Sequence, residues 1–320
     1  IVALSWGIVD AFFWPAILNG TRLFASEENQ GIAFGLLESG RRAMELGMNA
    51  LALFIFTALG SSPTAMRIII TIYTVLIVLW VLLSFKFIPN IKLLKSETST
   101  EKNKEALSGL IKALLYPEVW LSGLIGMSVY TAYIAVVYSV PYMQNVFGLS
   151  TSQAVVFGLF NASGIGILGG IIGGLLGDKV FKSPVKMLSY SLLLTVVVLL
   201  GVVLTPKDPD YLYVSMILMF IYSFVIFISR SVYFAPIGEA NIPKEFSGSA
   251  MAVASFLTYS PVFWAYGVNG ALIDMNKDNP SQGYYYIFLI GLIFTIVGAL
   301  SAIILSRLIK IRKAKAQVNE

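Results

Sequence analysis

A chain of 320 residues that is 57% apolar and only 12% charged does not read as a water-soluble domain, which carries about twice that charge fraction. Its net charge of +5 asks for a membrane explanation before a nucleic-acid one, because no polar block is large enough to form a separate soluble domain. The absence of cysteine and histidine excludes disulfide frameworks, haem, most zinc sites, thiol nucleophiles and histidine proton relays, so proton chemistry falls to carboxylates and tyrosines.

Apolar windows of about 20 residues, the length that crosses a bilayer as a helix, recur along the whole chain. In chain order they predict nine spans, near 1–20, 31–59, 64–88, 117–143, 153–177, 184–205, 211–238, 247–274 and 283–307. The first begins inside an apolar run with neither a methionine nor a basic leader, so an incomplete amino terminus is expected. It carries Asp10 at mid-span with no basic residue within a turn. A carboxylate in a low-dielectric site gains proton affinity, which makes Asp10 a candidate for proton coupling unless a partner on another helix neutralises it.

The second span holds Glu38, Arg41, Arg42 and Glu45, whose three- and four-residue spacings put them within reach of one another on one flank. Charge inside a bilayer costs about 2.5–3.5 kcal/mol per residue on insertion scales, so this cluster needs a reason. Either it binds an anionic group in a cavity, with Arg41 and Glu38 foremost and Glu45 a second proton-coupling candidate, or it is a static salt bridge between helices. The third span is followed by the one long connection, 89–116, which divides the chain into three helices (1–88) and then six with a basic tail (117–320).

In the fourth span, Tyr130 and Tyr133 share a face, while Tyr142 suits the aromatic belt at a membrane surface. The fifth carries Asn161 and a run of glycines in GxxxG spacing that allows close helix contact but is no phosphate loop, since no GK[ST] follows. In the seventh, Arg230 is placed to line a cavity or bind helix ends, and Glu239 beyond it to pair with Lys244 or Arg22. Asn269 is a further polar spot in the eighth span. If connection 89–116 is cytoplasmic, alternate loops and the tail hold 16 of the 22 basic residues against three in the opposite loops. That asymmetry puts the carboxyl terminus in the cytoplasm.

Two stretches look like copies. FWPAILNGTRLFASEENQGIAFGLLESGRRAMELG and YFAPIGEANIPKEFSGSAMAVASFLTYSPVFWAYG each end an aromatic-rich span near a proline (Pro15, Pro236), turn through polar residues, and open a helix with glycine and small residues. One pair of spans stands two before the long connection and the other two before the end, as repeated six-helix halves require. At this point the sequence resembles the major facilitator superfamily, over the whole chain, as that family's fourth to twelfth helices. The most specific mark is Gly174-Leu-Leu-Gly-Asp-Lys-Val-Phe-Lys182, similar to the family's G-x-L-A-D-K/R-x-G-K/R turn; Gly177 and Phe181 depart from it.

The resemblance implies an all-α integral membrane bundle with nine of twelve helices in two pseudo-symmetric halves. It implies that the fourth span lines the cavity, making Tyr130 and Tyr133 candidate substrate contacts with Arg41, Glu38, Arg230, Asn161 and Asn269. Asp178, with Lys179, Lys182 and Glu239, is implied to form a cytoplasmic gate between the fifth and eighth spans, with Asp178 at the amino end of the eighth, near Ser247 and Gly248.

The expected function is therefore secondary active transport of a small polar solute, an anionic one favoured by the intramembrane arginines, driven by a proton or solute gradient. No Walker motif is present. The expectation includes no enzyme activity, cofactor, metal or nucleic acid, and a monomer in a bacterial plasma (inner) membrane whose partners are the solute and the lipid bilayer. A transporter-derived sensor or non-transporting scaffold is the alternative, and an integral-membrane transferase a remote one, since it would need clustered carboxylates or histidines at the interface.

Overall fold

The computed structural model describes the chain except residues 1–12, 14–16, 19, 22–23, 27–28, 61, 88–98, 241 and 319–320. Asp10 and Arg22 therefore lie outside the described residues. Every described element is helical: α1 (Gln30–Ala58), α2 (Pro63–Phe87), α3 (Ser99–Leu114), α4 (Pro117–Val137), α5 (Ser139–Phe147), α6 (Thr151–Gly158), α7 (Ile165–Leu175), α8 (Pro184–Leu204), α9 (Leu212–Val232), α10 (Ala235–Glu239), α11 (Ser247–Tyr259), α12 (Pro261–Met275) and α13 (Pro280–Val318), with short 3₁₀ and π turns between some of them.

Among the described residues, six helices are long and apolar enough to cross a membrane, fewer than the nine spans expected. The reasons are local. The expected second span is the 29-residue helix α1, but Glu38, Arg41, Arg42 and Glu45 interrupt its apolar run. The eighth is broken at Ser260 into α11 and α12, and the first falls mostly outside the described residues. Prolines set the other breaks: a proline ring displaces the carbonyl four residues earlier, and α4 and α9 end at Val137 and Val232, four before Pro141 and Pro236.

Two compact units emerge, residues 1–40 with 106–320, and residues 41–105. In the larger, α13 packs along α4 and α8, α11 along α4, and α9 along α7 and α8. With lipid outside, helices gain nothing by hiding apolar surface from one another, so close approach of backbones decides the packing. Gly123 faces Leu257 of α11, Gly126 faces Thr258 of α11, and Gly298 of α13 faces Ser128. Three buried threonine hydroxyls bond within their own helices: Thr131, Thr195 and Thr295 donate to the carbonyls of Met127, Ser191 and Gly291 at 2.7–2.8 Å. In the smaller unit, the Tyr73 hydroxyl donates to the Met48 carbonyl at 2.5 Å, and α2 exposes most of its apolar side chains, as a lipid-facing helix does.

Candidate functional site

Asp178 stands in a π turn (Leu176–Val180) at the end of α7. Its carboxylate accepts hydrogen bonds from the backbone N–H groups of Gly31 (3.0 Å) and Ile32 (2.6 Å). These are among the free donors of the first turn of α1, where the helix dipole also favours an anion. The contact corrects the expectation that Asp178 would cap the helix beginning at Ser247. The donor chemistry is the expected one, but the turn reaches the start of α1, with which α7 shares a glycine face. Lys179 reinforces it, its ammonium donating to the Asn29 side-chain oxygen at 3.1 Å.

Gly31 is required for this approach, because a Cβ there would sit 2.6 Å from the Asp178 oxygen. Gly31→Val is therefore expected to break the contact while leaving the helix intact, and site-directed spin labels on the two turns would report their separation. Unchanged spacing would show that the turn is held elsewhere. The left-handed residue of the turn is Lys182, at φ 51°, whereas Phe181, standing where the family has glycine, is an ordinary helical residue. Left-handed backbone costs a residue with a Cβ about 1–2 kcal/mol, so Lys182→Gly should raise the unfolding temperature in detergent. A lower unfolding temperature would mean that the Lys182 side chain supplies more than the backbone loses.

Glu239 accepts the N–H of Val185 at 2.9 Å, at the start of α8; its expected partners, Arg22 and the Lys244 side chain, lie outside what the structure describes. The reason is the same as for Asp178: Pro184 opens that helix and leaves its next N–H free.

Glu38 lies seven residues along α1 from Gly31, about 10 Å at the helical rise. Its carboxylate meets Arg230 of α9, with Nε to Oε1 at 3.5 Å, and the residues are 8% and 6% exposed. The Arg230 guanidinium lies over the ring of Tyr133 at 3.7 Å from its centroid and 5.3 Å from that of Tyr130. Tyr130 packs edge-on against both Tyr133 and Tyr259, and the hydroxyls of Tyr259 and Tyr233 are 3.2 Å apart. Tyr130 leans on the apolar core around Val129, Ile228 and Met251, and Tyr133 on the one around Ala135, Tyr142 and Phe288, so the pair sits where the two meet. Arg230 Nε and Nη1 are buried without a hydrogen-bond partner among the described residues. A buried guanidinium with unmet N–H groups is costly unless something else fills them.

Four of the candidates, Glu38, Arg230, Tyr130 and Tyr133, thus come together. Glu45 pairs with Arg42 at 3.2 Å and with Arg41 at 3.8 Å; Arg42 is buried and Arg41 is partly exposed. Asn161 lies in a π turn, Leu159–Gly164, donates to the Ser139 hydroxyl at 2.9 Å, and keeps its side-chain oxygen buried without a partner. Asn269 is buried on α12, near Tyr138. The sequence reading missed Tyr233 and Tyr259, although Tyr233 follows Arg230 at helical spacing and Tyr259 immediately precedes a proline break.

It also missed Glu118, which is 1% exposed in the first turn of α4 and bound by Arg312 of α13 at 2.6 Å. The Arg312 guanidinium also lies 5.5 Å from the Tyr116 ring. Arg312 is half exposed, but removing it leaves the Glu118 carboxylate buried without its cation, so Arg312→Ala should lower thermal stability in detergent by about 1–3 kcal/mol, and adding Glu118→Gln should recover most of it. Equal losses in the single and double variants would contradict this pairing.

The chain is 28% identical over 331 aligned residues to Inner membrane protein YihN of Escherichia coli (strain K12), an alignment covering 98% of this chain and 77% of that one. To Inner membrane protein YqcE of the same organism it is 23% identical over 282 residues, 87% of this chain and 66% of the relative. An uncharacterized protein of Mycoplasma pneumoniae is 25% identical over 173 residues, covering 49% of this chain and 78% of that one. A family model described as Major Facilitator Superfamily matches residues 1–268. With its membrane-capable helices and this match over most of its length, the chain belongs to the major facilitator superfamily.

Proposed function

We propose that this protein is a secondary active transporter that moves a small anionic solute by alternating access, driven by a proton or solute gradient. The observation that carries this reading is Arg230, a buried cation with unmet N–H groups that lies over the ring of Tyr133. A guanidinium so placed offers paired donors to a carboxylate or similar oxyanion, and the surrounding phenols offer hydrogen bonds to a polar solute. Asn161, with a free buried oxygen, and Asn269 are proposed as further solute contacts. Asp10 and Glu45 remain proposed coupling carboxylates. Residues 1–88 and 117–320 are proposed as parts of two repeated halves joined by a cytoplasmic loop at 89–116, with the carboxyl terminus on the same side as that loop.

In this scheme Asp178, Lys179, Lys182 and Glu239 form the cytoplasmic gate. The Asp178 contact closes one end of the path, and the Glu38–Arg230 pair lies about 10 Å deeper. Tyr266, on α12 seven residues beyond Tyr259, is exposed and lies in the neighbourhood of Tyr130, Tyr133 and Arg230.

The natural absence of cysteine allows a direct test. A Tyr266→Cys variant is labelled in membranes with an impermeant thiol reagent, with and without Gly31→Val. Alternating access predicts that breaking the Asp178 contact slows labelling at Tyr266→Cys severalfold, because opening one end closes the other. Labelling that ignores the gate variant would sink this reading and favour a non-transporting scaffold.

A further inference from the structure

We propose that α3 is a membrane-surface helix that binds the anionic phospholipid headgroups of the bilayer spanned by the rest of the chain. This rests on the membrane-capable helices and is independent of any solute. The first observation is where α3 lies. Its residues 106–114 belong to the larger compact unit, and only Leu115 and Tyr116 separate them from Pro117, which opens the membrane-capable helix α4. So short a link holds the last turn of α3 within about 10 Å of the start of α4. Tyr116, just before α4, meets Phe246, just before α11, with ring centroids 5.1 Å apart, so α4 and α11 open at the same level. Gly109, about 7.5 Å back along α3, lies against that second helix start. A Cβ there would sit 2.9 Å from the Ser249 Oγ and 3.4 Å from the Phe246 Cβ. The helix thus runs from the start of α4 to the start of α11, along the bilayer surface instead of rising away from it.

The second observation is how α3 divides its own surface. At about 100° per residue, Leu107, Leu110, Ile111 and Leu114 form one strip, Gly109 and Ala113 a second, and Ser108 and Lys112 a third, spaced roughly a third of a turn apart. Gly109 and Ala113 are buried against the protein, while Ser108 and Lys112 are exposed. The four leucine and isoleucine side chains are left 37–59% exposed. A helix with one flank on protein, one polar face and one bare apolar strip fits the boundary between headgroups and acyl chains.

The third observation is charge. Residues 106–116 and 306–318 hold Lys112, Arg307, Lys310, Arg312, Lys313 and Lys315 and no aspartate or glutamate. The Arg312 guanidinium lies 5.5 Å from the Tyr116 ring, so the basic end of α13 reaches the same corner as α3. There Trp120, 41% exposed, donates its indole N–H to the Leu114 carbonyl at 2.8 Å, as a tryptophan suits the headgroup level. Zwitterionic lipid would cover the apolar strip but leave this surplus of cations unmatched; anionic headgroups answer both.

The absence of cysteine permits a direct test on the full-length protein. Ile111→Cys and Ser108→Cys are each labelled with the polarity-sensitive fluorophore NBD. They are reconstituted in phosphatidylcholine liposomes with and without phosphatidylglycerol, containing lipids spin-labelled at shallow or deep positions. Shallow spin label should quench at Ile111→Cys at least twofold more than at Ser108→Cys. The difference should grow with phosphatidylglycerol, and that growth should vanish at high salt or on adding Lys112→Glu with Lys310→Glu. Leu110→Cys is the second position if Ile111→Cys does not reconstitute. Equal quenching at both positions, or a label on the apolar strip shielded from lipid and from aqueous iodide alike, overturns the inference. Quenching indifferent to phosphatidylglycerol overturns the assignment of anionic headgroups. Leu194→Cys, exposed midway along α8, separates the two levels of failure. Deep quenching there without any on α3 removes this inference alone, whereas silence at both removes the membrane-spanning reading as well.

Discussion

Arg230→Gln is expected to lower the affinity for a transported anion at least tenfold, since hydrogen bonds to a charged group contribute about 1.5–3 kcal/mol each in such a site. It should also destabilise the protein, for a separate reason. Glu38 would lose the buried cation it meets on α9, and breaking a buried pair from one side costs about 3–5 kcal/mol. The two effects separate in a double variant. Adding Glu38→Gln removes the stranded charge, so unfolding temperature in detergent should return most of the way while anion binding stays lost. Equilibrium binding and thermal unfolding on the four proteins of this cycle check both. Retained binding in Arg230→Gln would place the anion elsewhere, with Arg42, buried in the second compact unit, as the next cation to examine.

Gly174→Leu is expected to be the most damaging substitution outside the site. A Cβ at Gly174 would lie 2.7 Å from the Gly31 carbonyl oxygen and 3.0 Å from the Ile32 Cα, and one at Gly35 would lie 2.6 Å from the Gly170 carbonyl oxygen. These neighbours are backbone, so no side chain can swing aside. On its other face α7 presses Gly169 and Gly173 against Phe227 and Ile228 of α9, leaving no direction in which to retreat. Overpacking costs about 1–3 kcal/mol where side chains can yield, and here the upper end is expected. The same displacement carries the Asp178 turn away from Gly31, so gating and stability should fail together. Gly267→Ala is the control: nothing lies within 4 Å of its Cβ, and alanine in an open helical position should be neutral or gain about 0.5–1 kcal/mol. Size-exclusion profiles and thermal unfolding in detergent distinguish the outcomes; a well-behaved Gly174→Leu protein would mean that the helices are not held by backbone contact.

The sequence made the helices legible wherever an apolar run was bounded by prolines or charges. Pro63, Pro117, Pro184 and Pro280 open α2, α4, α8 and α13, each within three residues of the expected start. The internal breaks were less legible, since the expected spans ran straight through Pro141, Pro236 and Pro261, where the helices stop and restart. The last helix runs to Val318 instead of ending near 307, because lysine and arginine are good helix formers once the chain leaves the apolar window.

For the site, spacing along one helix showed which residues share a face. Tyr130 with Tyr133 was visible in this way, and so was the charged flank of α1. Pairing across helices was not visible. Glu38 had Arg41 and Arg42 within a turn, yet it also meets Arg230, distant in sequence, because the glycine faces bring α1, α7 and α9 together. The partner of Asp178 was misjudged for the same reason. The motif marks the carboxylate and the need for a helix start, but only the tertiary arrangement chooses between Gly31 and Ser247.

The central claim is that this protein carries an anion, and the most direct measurement is made on the full-length protein in liposomes holding a pH dye. Small organic anions, neutral sugars and zwitterionic amino acids are presented outside in turn. The account predicts that at least one anion acidifies the interior, that Arg230→Gln abolishes the response, and that neutral sugars give none. Acidification by a neutral sugar that survives Arg230→Gln, or silence with every anion while labelled solute of another class accumulates, would contradict it.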